Sequence, residues 1–98
     1  MDSATKNRIE LEVKIKNPMG LHTRPATNIV RILQHAKCCV QFTYKKTTIN
    51  AKSILSILTL AVPKNGKLTV VIEGEDAEVV LPKLMRVLES PLEDISVL

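Results

Sequence analysis

Residues 20–26, Gly-Leu-His-Thr-Arg-Pro-Ala, combine side chains that suit phosphoryl chemistry. The neutral imidazole of His22 is a good nucleophile near pH 7. Pro25 fits the first turn of a helix, and a helix N-terminus presents N–H donors and a partial positive charge to an anion. Arg24 adds a planar donor fork for phosphoryl oxygens. The pattern predicts a transient phosphohistidine at His22, stabilised by Arg24 and by the backbone N–H groups of Thr23 and Arg24. From these residues alone, an ordinary polar His22 in a turn remains the alternative.

The charge distribution indicates a negatively charged partner. The 98-residue chain has a formal net charge of +4, yet residues 13–72 hold ten Lys or Arg and no Asp or Glu, whereas residues 73–98 hold seven acids and two bases. Such a stretch favours contact with phosphate, membrane headgroups or an acidic protein face.

Composition excludes several classes of function. Only 2% of the residues are aromatic; Phe42 and Tyr44 share one face of a strand and are expected in the core, so an RNA-binding domain is not favoured. No apolar run is long enough for a transmembrane helix, and the polar N-terminus does not resemble a signal peptide. Adjacent Cys38 and Cys39 form neither a zinc pattern nor a disulfide framework, and at least one is expected to pack as a small hydrophobe. We expect a cytoplasmic protein without metal, nucleic acid or membrane insertion.

Hydrophobic periodicity predicts an α+β fold in which a four-stranded antiparallel sheet carries three helices on one face and leaves the other face open. Ser53 and Asp76 are predicted N-caps, and Pro82 predicts a kink or a late start of the last helix. Residues 1–8 and 91–98 are expected to be tails around a domain of residues 9–90. The predicted elements, in order, are a strand at 9–16, a helix at 23–37, strands at 40–44 and 47–51, a helix at 54–60, a strand at 67–73 and a helix ending near 88.

Three segments resemble the HPr family, the histidine phosphocarriers of the phosphoenolpyruvate:sugar phosphotransferase system. Residues 20–26 resemble its active-site signature. Residues 50–55, Asn-Ala-Lys-Ser-Ile-Leu, with Leu-Thr-Leu at 58–60, match a second motif in the same register, and residues 72–76 match a third. The resemblance covers roughly residues 9–90 and implies an open-faced β-sandwich. It identifies the chain as a monomeric carrier for sugar transport, without a cofactor, rather than a stand-alone catalyst.

The resemblance also implies roles for particular residues. Phosphorylated enzyme I would transfer its phosphoryl group to Nδ1 of His22, and the group would pass on to an enzyme IIA or related acceptor. Arg24 would place the phosphoryl group, and Pro25 would set the helix start. Ser53 matches the family's regulatory serine, the target of HPr kinase/phosphorylase, although its residue type alone indicates an N-cap. A regulatory module controlled through Ser53, rather than a sugar-uptake carrier, is the alternative function.

A docking surface beside the active centre is implied in the same way. We expect Leu55 and Leu58 to be partly exposed. His35 is expected to be a surface residue or a partner of the helix dipole rather than a second phosphosite. Ala61, Lys45-Lys46 and Pro82 depart from the family pattern and bear on partner range rather than on phosphoryl transfer. The implied docking residues are Ile54, Leu55 and Leu58 with a basic rim of Lys52, Arg31 and Lys64.

Overall fold

The computed structural model describes residues 7–91, and its elements follow the predicted order β-α-β-β-α-β-α. Within those residues, no helix is both long enough and apolar enough to cross a membrane. Residues 1–6 and 92–98, which make up most of the two predicted tails, lie outside the described part. The elements are β1 (Arg8–Lys14), α1 (Thr23–Leu33), β2 (Cys39–Tyr44), β3 (Thr47–Asn50), α2 (Ile54–Leu60), β4 (Lys67–Glu73) and α3 (Ala77–Leu88).

The four strands form one antiparallel sheet in the order β1-β4-β2-β3. Alternate residues of the strands are buried, as expected for a sheet with one covered face. The helices cover that face, and the core between the layers is aliphatic apart from Phe42 and Cys38. The predicted fold class is therefore confirmed. β1 begins at Arg8, opposite Glu73, so the sheet takes in a residue that the sequence interpretation assigned to the N-terminal tail.

Two helix boundaries differ from the prediction. Helix α1 ends at Leu33 rather than near residue 37, because the N–H groups of Lys37 and Cys38 donate to the carboxylate of Asp76. The late start of α3 is wrong, since that helix begins at Ala77 and contains Pro82. The proline is exposed on the outer side of the helix, where water can hydrate the carbonyl that its missing N–H leaves unpaired.

The β2–β3 turn and the end of α2 adopt left-handed backbone without glycine. Lys45 and Lys46 have φ angles of 48° and 71°, the type I′ geometry of a two-residue hairpin. Ala61 ends α2 with φ 51° and ψ 46°, a position that usually favours glycine. These departures from the family pattern are thus accommodated by strained backbone rather than by a different fold.

Candidate functional site

His22 is the N-cap residue of α1. Its backbone is extended (φ −92°, ψ −166°), its side chain makes no capping hydrogen bond, and its carbonyl accepts the N–H of Ala26 at 3.0 Å. Pro25 lies in the first turn of α1, as its fixed φ predicts, and its side chain is buried. His22 therefore lies at the N-terminus of a helix whose first residues are Thr23 and Arg24.

The two ring nitrogens of His22 have different surroundings. Nε2 is shielded from solvent and has no hydrogen-bond partner. Among residues 7–91, it is the only buried side-chain nitrogen or oxygen without a partner. Nδ1 of the same ring is not among the buried atoms that lack a hydrogen-bond partner. The packing therefore shields one ring nitrogen of His22, Nε2, from an approaching reagent.

The first turn of α1 suits an anion. It contains no acidic residue, and the first N–H groups of a helix are not used by the helix itself. Thr23 and Arg24 carry such groups, whereas Pro25 has none, and both Thr23 and Arg24 are exposed. The structure thus places His22 at the N-cap of α1 and Arg24 in its first turn.

The loop before His22 is held by a tight turn and by contact with the segment after α2. Buried Asn17 accepts the N–H of Met19 on Oδ1 and the N–H of Gly20 on its carbonyl, both at 2.9 Å. Gly20 has φ +72°, and a Cβ there would lie 2.3 Å from the carbonyl oxygen of Val62. The loop therefore requires glycine at this position.

Helix α2 packs beside α1 and presents an apolar face. Ser53 caps it, as predicted: its hydroxyl accepts the N–H of Ser56 at 3.2 Å. Leu55 is 76% exposed, whereas Ile54 and Leu58 are half-buried, which confirms the expected partial exposure of Leu55 and Leu58.

The predicted basic rim is spread over three segments. Lys52 lies just before α2 and donates to the carbonyl of Ala36 at 3.2 Å. Arg31 is exposed in the last turn of α1, and Lys64 is exposed after α2. His35 is also exposed and contacts Gln34, away from the helix start that carries His22.

Asp76 has a second role that sequence reasoning missed. It is the N-cap residue of α3, but its side chain makes no capping hydrogen bond and instead accepts the N–H groups of Lys37 and Cys38 at 2.8 Å each. The hydrogen bond from the N–H of Lys37 lowers the pKa of the Asp76 carboxyl most, and the hydrogen bonds from Cys38 lower it further. Burial, and then the neighbouring Asp76, raise the pKa of the Cys38 thiol to about 11. No local pattern signals this contact, because its partners lie almost forty residues apart.

Comparison with known proteins decides the family. A family model described as the PTS HPr component phosphorylation site matches residues 9–90. This chain belongs to the HPr family. Phosphocarrier protein HPr of Chlamydia muridarum is 45% identical over 76 residues, which are 78% of this chain and 73% of that protein.

Further relatives show both the HPr fold and its use in larger proteins. The crystal structure of HPr-C-His from Thermoanaerobacter tengcongensis has 30% sequence identity and a TM-score of 0.80, covering 90% of this chain and 99% of that one. The multiphosphoryl transfer protein of Haemophilus influenzae is 34% identical over 94 residues, which are 93% of this chain and 19% of that protein. The chain is therefore an HPr-type phosphocarrier of the phosphotransferase system.

Proposed function

We propose that Nδ1 of His22 accepts a phosphoryl group from phosphorylated enzyme I and passes it to an enzyme IIA-type acceptor. The observation that carries this proposal is the asymmetry of the His22 ring at the N-cap of α1, with Nε2 shielded and unpaired. In the transfer, the Nδ1 lone pair forms a new N–P bond while the donor's bond to phosphorus breaks and its electron pair returns to the donor. The reverse exchange delivers the group to the next protein.

The surroundings of His22 favour the negative charge of a phosphoryl group. A phosphoryl group brings nearly two negative charges, and the dipole of α1 together with Arg24 offsets them. Residues 13–72 contain no carboxylate that would repel the group. No small-substrate site is needed, since donor and acceptor are both proteins that dock in the cytoplasm on a monomeric carrier.

Mass spectrometry tests the acceptor residue. With enzyme I and phosphoenolpyruvate, the protein should gain about 80 Da in an acid-labile form. His22→Ala should abolish the gain, whereas His35→Ala, which removes the other histidine, should retain it. A wild-type protein that gains no mass under these conditions would contradict the proposal.

The exposed face of α2, made by Leu55 with half-buried Ile54 and Leu58, is proposed to dock both partners beside His22. Lys52 and Arg31 supply charged contacts at its rim. Small mixed apolar and charged surfaces suit fast, weak exchange. We expect Leu55→Ala to raise the KM for enzyme I. Val79→Ala is the matched control, because Val79 is 63% exposed on α3 and distant in sequence from the patch; an equal effect of the two variants would refute this docking site.

Ser53 is proposed as a regulatory phosphorylation site for HPr kinase/phosphorylase. A phosphate at the N-cap of α2 adds charge beside Leu55 without disrupting the helix, so it would alter partner docking. Ser53→Ala should lose the kinase-dependent mass gain, and Ser56→Ala on the same helix should keep it. If Ser53→Ala abolishes the cellular phenotype while His22→Ala leaves it intact, regulation rather than sugar uptake is the main function.

A further inference from the structure

Six exposed lysines converge at one end of the sheet, although they come from three separate stretches of the chain. Lys14 and Lys67 are direct cross-strand partners of β1 and β4. The pairing of Thr43 with Thr69 brings the β2–β3 turn to the same end. The loop after α2 joins them there, because Asn65 donates its N–H to the carbonyl of Ile15 at 2.6 Å. We call this set the basic end; its members are Lys14, Lys16, Lys45, Lys46, Lys64 and Lys67.

The basic end is not neutralised within the described part of the chain. The ion pairs found among residues 7–91 join Arg8 to Glu10 and Lys37 to Glu75, and neither includes one of the six lysines. Lysines directly opposite one another, as Lys14 and Lys67 are, repel and destabilise a sheet. Packing does not require this pair, since both side chains are exposed. The Lys14–Lys67 pair is therefore kept at a cost to the sheet, and Nζ of Lys45 lies 5.5 Å from the centre of the Tyr44 ring. Positive charge without an acidic partner among residues 7–91 points to a partner molecule.

The basic end adjoins the loop that carries His22, and it meets the predicted basic rim of the α2 face only at Lys64. The N–H of Leu21, next to His22, donates to the carbonyl of Val62 at 2.8 Å, and Lys64 follows two residues later. Lys14 and Lys67 point to the open face of the sheet, opposite the helices, because their neighbours Val13 and Leu68 point into the core. A protein seated over His22 that extends around this edge meets the lysines.

The surrounding residues favour a compact acidic patch over an extended polyanion. Glu12, opposite Thr69, and then Glu10 follow on the same face of β1. They would repel a phosphate backbone continuing along the sheet. The strand residues on this face include no aromatic side chain on which a base could stack, since Phe42 is buried and Tyr44 points inward. Four strands span about 14 Å, the width of a few acidic side chains.

We propose that the basic end is a second docking surface, which binds an acidic face on the protein that donates the phosphoryl group to His22. This inference rests on the proposed function. Such a surface raises the rate of encounter more than it strengthens the complex. It would act through charge, whereas the face of α2 acts through apolar contact.

The test compares two sets of four substitutions with equal loss of charge. The basic-end variant carries Lys14→Gln, Lys45→Gln, Lys46→Gln and Lys67→Gln. The control carries Arg8→Gln, Lys37→Gln, Lys83→Gln and Arg86→Gln, all exposed positions away from the basic end. The measurement is kcat/KM for phosphorylation by enzyme I and phosphoenolpyruvate, from low salt to about 500 mM, where charges are screened within a few ångströms.

At low salt the basic-end variant should be phosphorylated about fivefold more slowly than wild type, with kcat unchanged, and the control should stay near wild type. The difference should vanish at high salt. Equal rates for both variants, whether unchanged or reduced, would overturn the inference while leaving the proposed function in place. A wild-type protein that is not phosphorylated would overturn both. Binding of duplex DNA or phosphatidylserine vesicles that requires these lysines, with transfer unaffected, would assign the surface to another partner and overturn the proposal.

A single substitution separates docking from folding. Lys67→Glu places an acid opposite Lys14, so the unfolding midpoint should rise while the low-salt rate of phosphorylation falls. A purely structural role for Lys67 predicts that stability changes and the rate does not.

Discussion

Leu21 donates its backbone N–H to the carbonyl oxygen of Val62 at 2.8 Å, which ties the loop before α1 to the segment after α2. The same oxygen lies where a side chain on Gly20 would have to go. The position of His22 therefore depends on the close approach of two segments forty residues apart, and not on its own helix alone.

Replacing Gly20 tests this approach. Gly20→Ala should lower the free energy of unfolding by more than about 2 kcal/mol, because it combines a positive φ with a contact against backbone. Denaturant unfolding measures the loss. Gly66→Ala is the comparison and should cost less, because its φ is not in the left-handed region and a Cβ there would lie 2.7 Å from Cγ1 of Val62 and 3.0 Å from the nearest backbone atom, whereas at Gly20 the backbone contact is 2.3 Å. Equal losses of unfolding free energy in the two variants would show that the close approach of Gly20 to Val62 adds no constraint of its own.

Replacing Ala61 by glycine should increase the stability of the protein. Ala61→Gly relieves the left-handed backbone that ends α2 and should stabilise the protein by about 1 kcal/mol. The same change at Ala36, whose φ is not positive, should destabilise it. Thermal unfolding of the two variants distinguishes relief of strain from a general effect of glycine; stabilisation by both would contradict the account.

Asp76 should make stability depend on acid pH. Its folded pKa lies below the ordinary value of 3.8, so its contribution is complete above that value and is lost as pH falls through the folded pKa. In Asp76→Asn, the unfolding midpoint should be lower at pH 6 and should fall less steeply below about pH 4. Glu75→Gln, which removes only an exposed ion pair with Lys37, should change neither property much. A pH profile for Asp76→Asn that parallels wild type would be the contrary result.

The two cysteines should differ sharply in reactivity. Cys39 is exposed, whereas Cys38 is fully buried and burial raises the pKa of its thiol to about 11. Iodoacetamide at neutral pH should therefore label the native protein once, because the thiolate is the reactive form. Mass spectrometry should find no label on native Cys39→Ser and one label after unfolding in urea. Rapid native labelling of Cys38 would refute its burial.

Local patterns predicted most elements because each depends on nearby residues. The alternation in β4 and the capping hydroxyl of Ser53 are both visible within a few positions, and the structure confirms the strand bounds and the cap. The end of α1 was misjudged because Asp76, from a distant loop, takes the N–H groups of Lys37 and Cys38. The pattern around Pro82 predicted a kink or a late start, and only the late start is wrong, because α3 begins at Ala77.

The candidate site divides in the same way. His22, Arg24 and Pro25 lie within four consecutive residues, so their common location at a helix start could be predicted from the motif. The basic end could not, because only the strand register brings Lys14, Lys67 and the β2–β3 turn together. The shielding of Nε2 likewise requires the packed structure around the ring.

The most direct test of the account is to identify the nitrogen that carries the phosphoryl group. Protein labelled with ¹⁵N-histidine, phosphorylated by enzyme I and phosphoenolpyruvate, can be examined by NMR for coupling between phosphorus and each ring nitrogen. The account predicts coupling to Nδ1 of His22 and no change at His35. Coupling to Nε2 of His22, or to either nitrogen of His35, would contradict it.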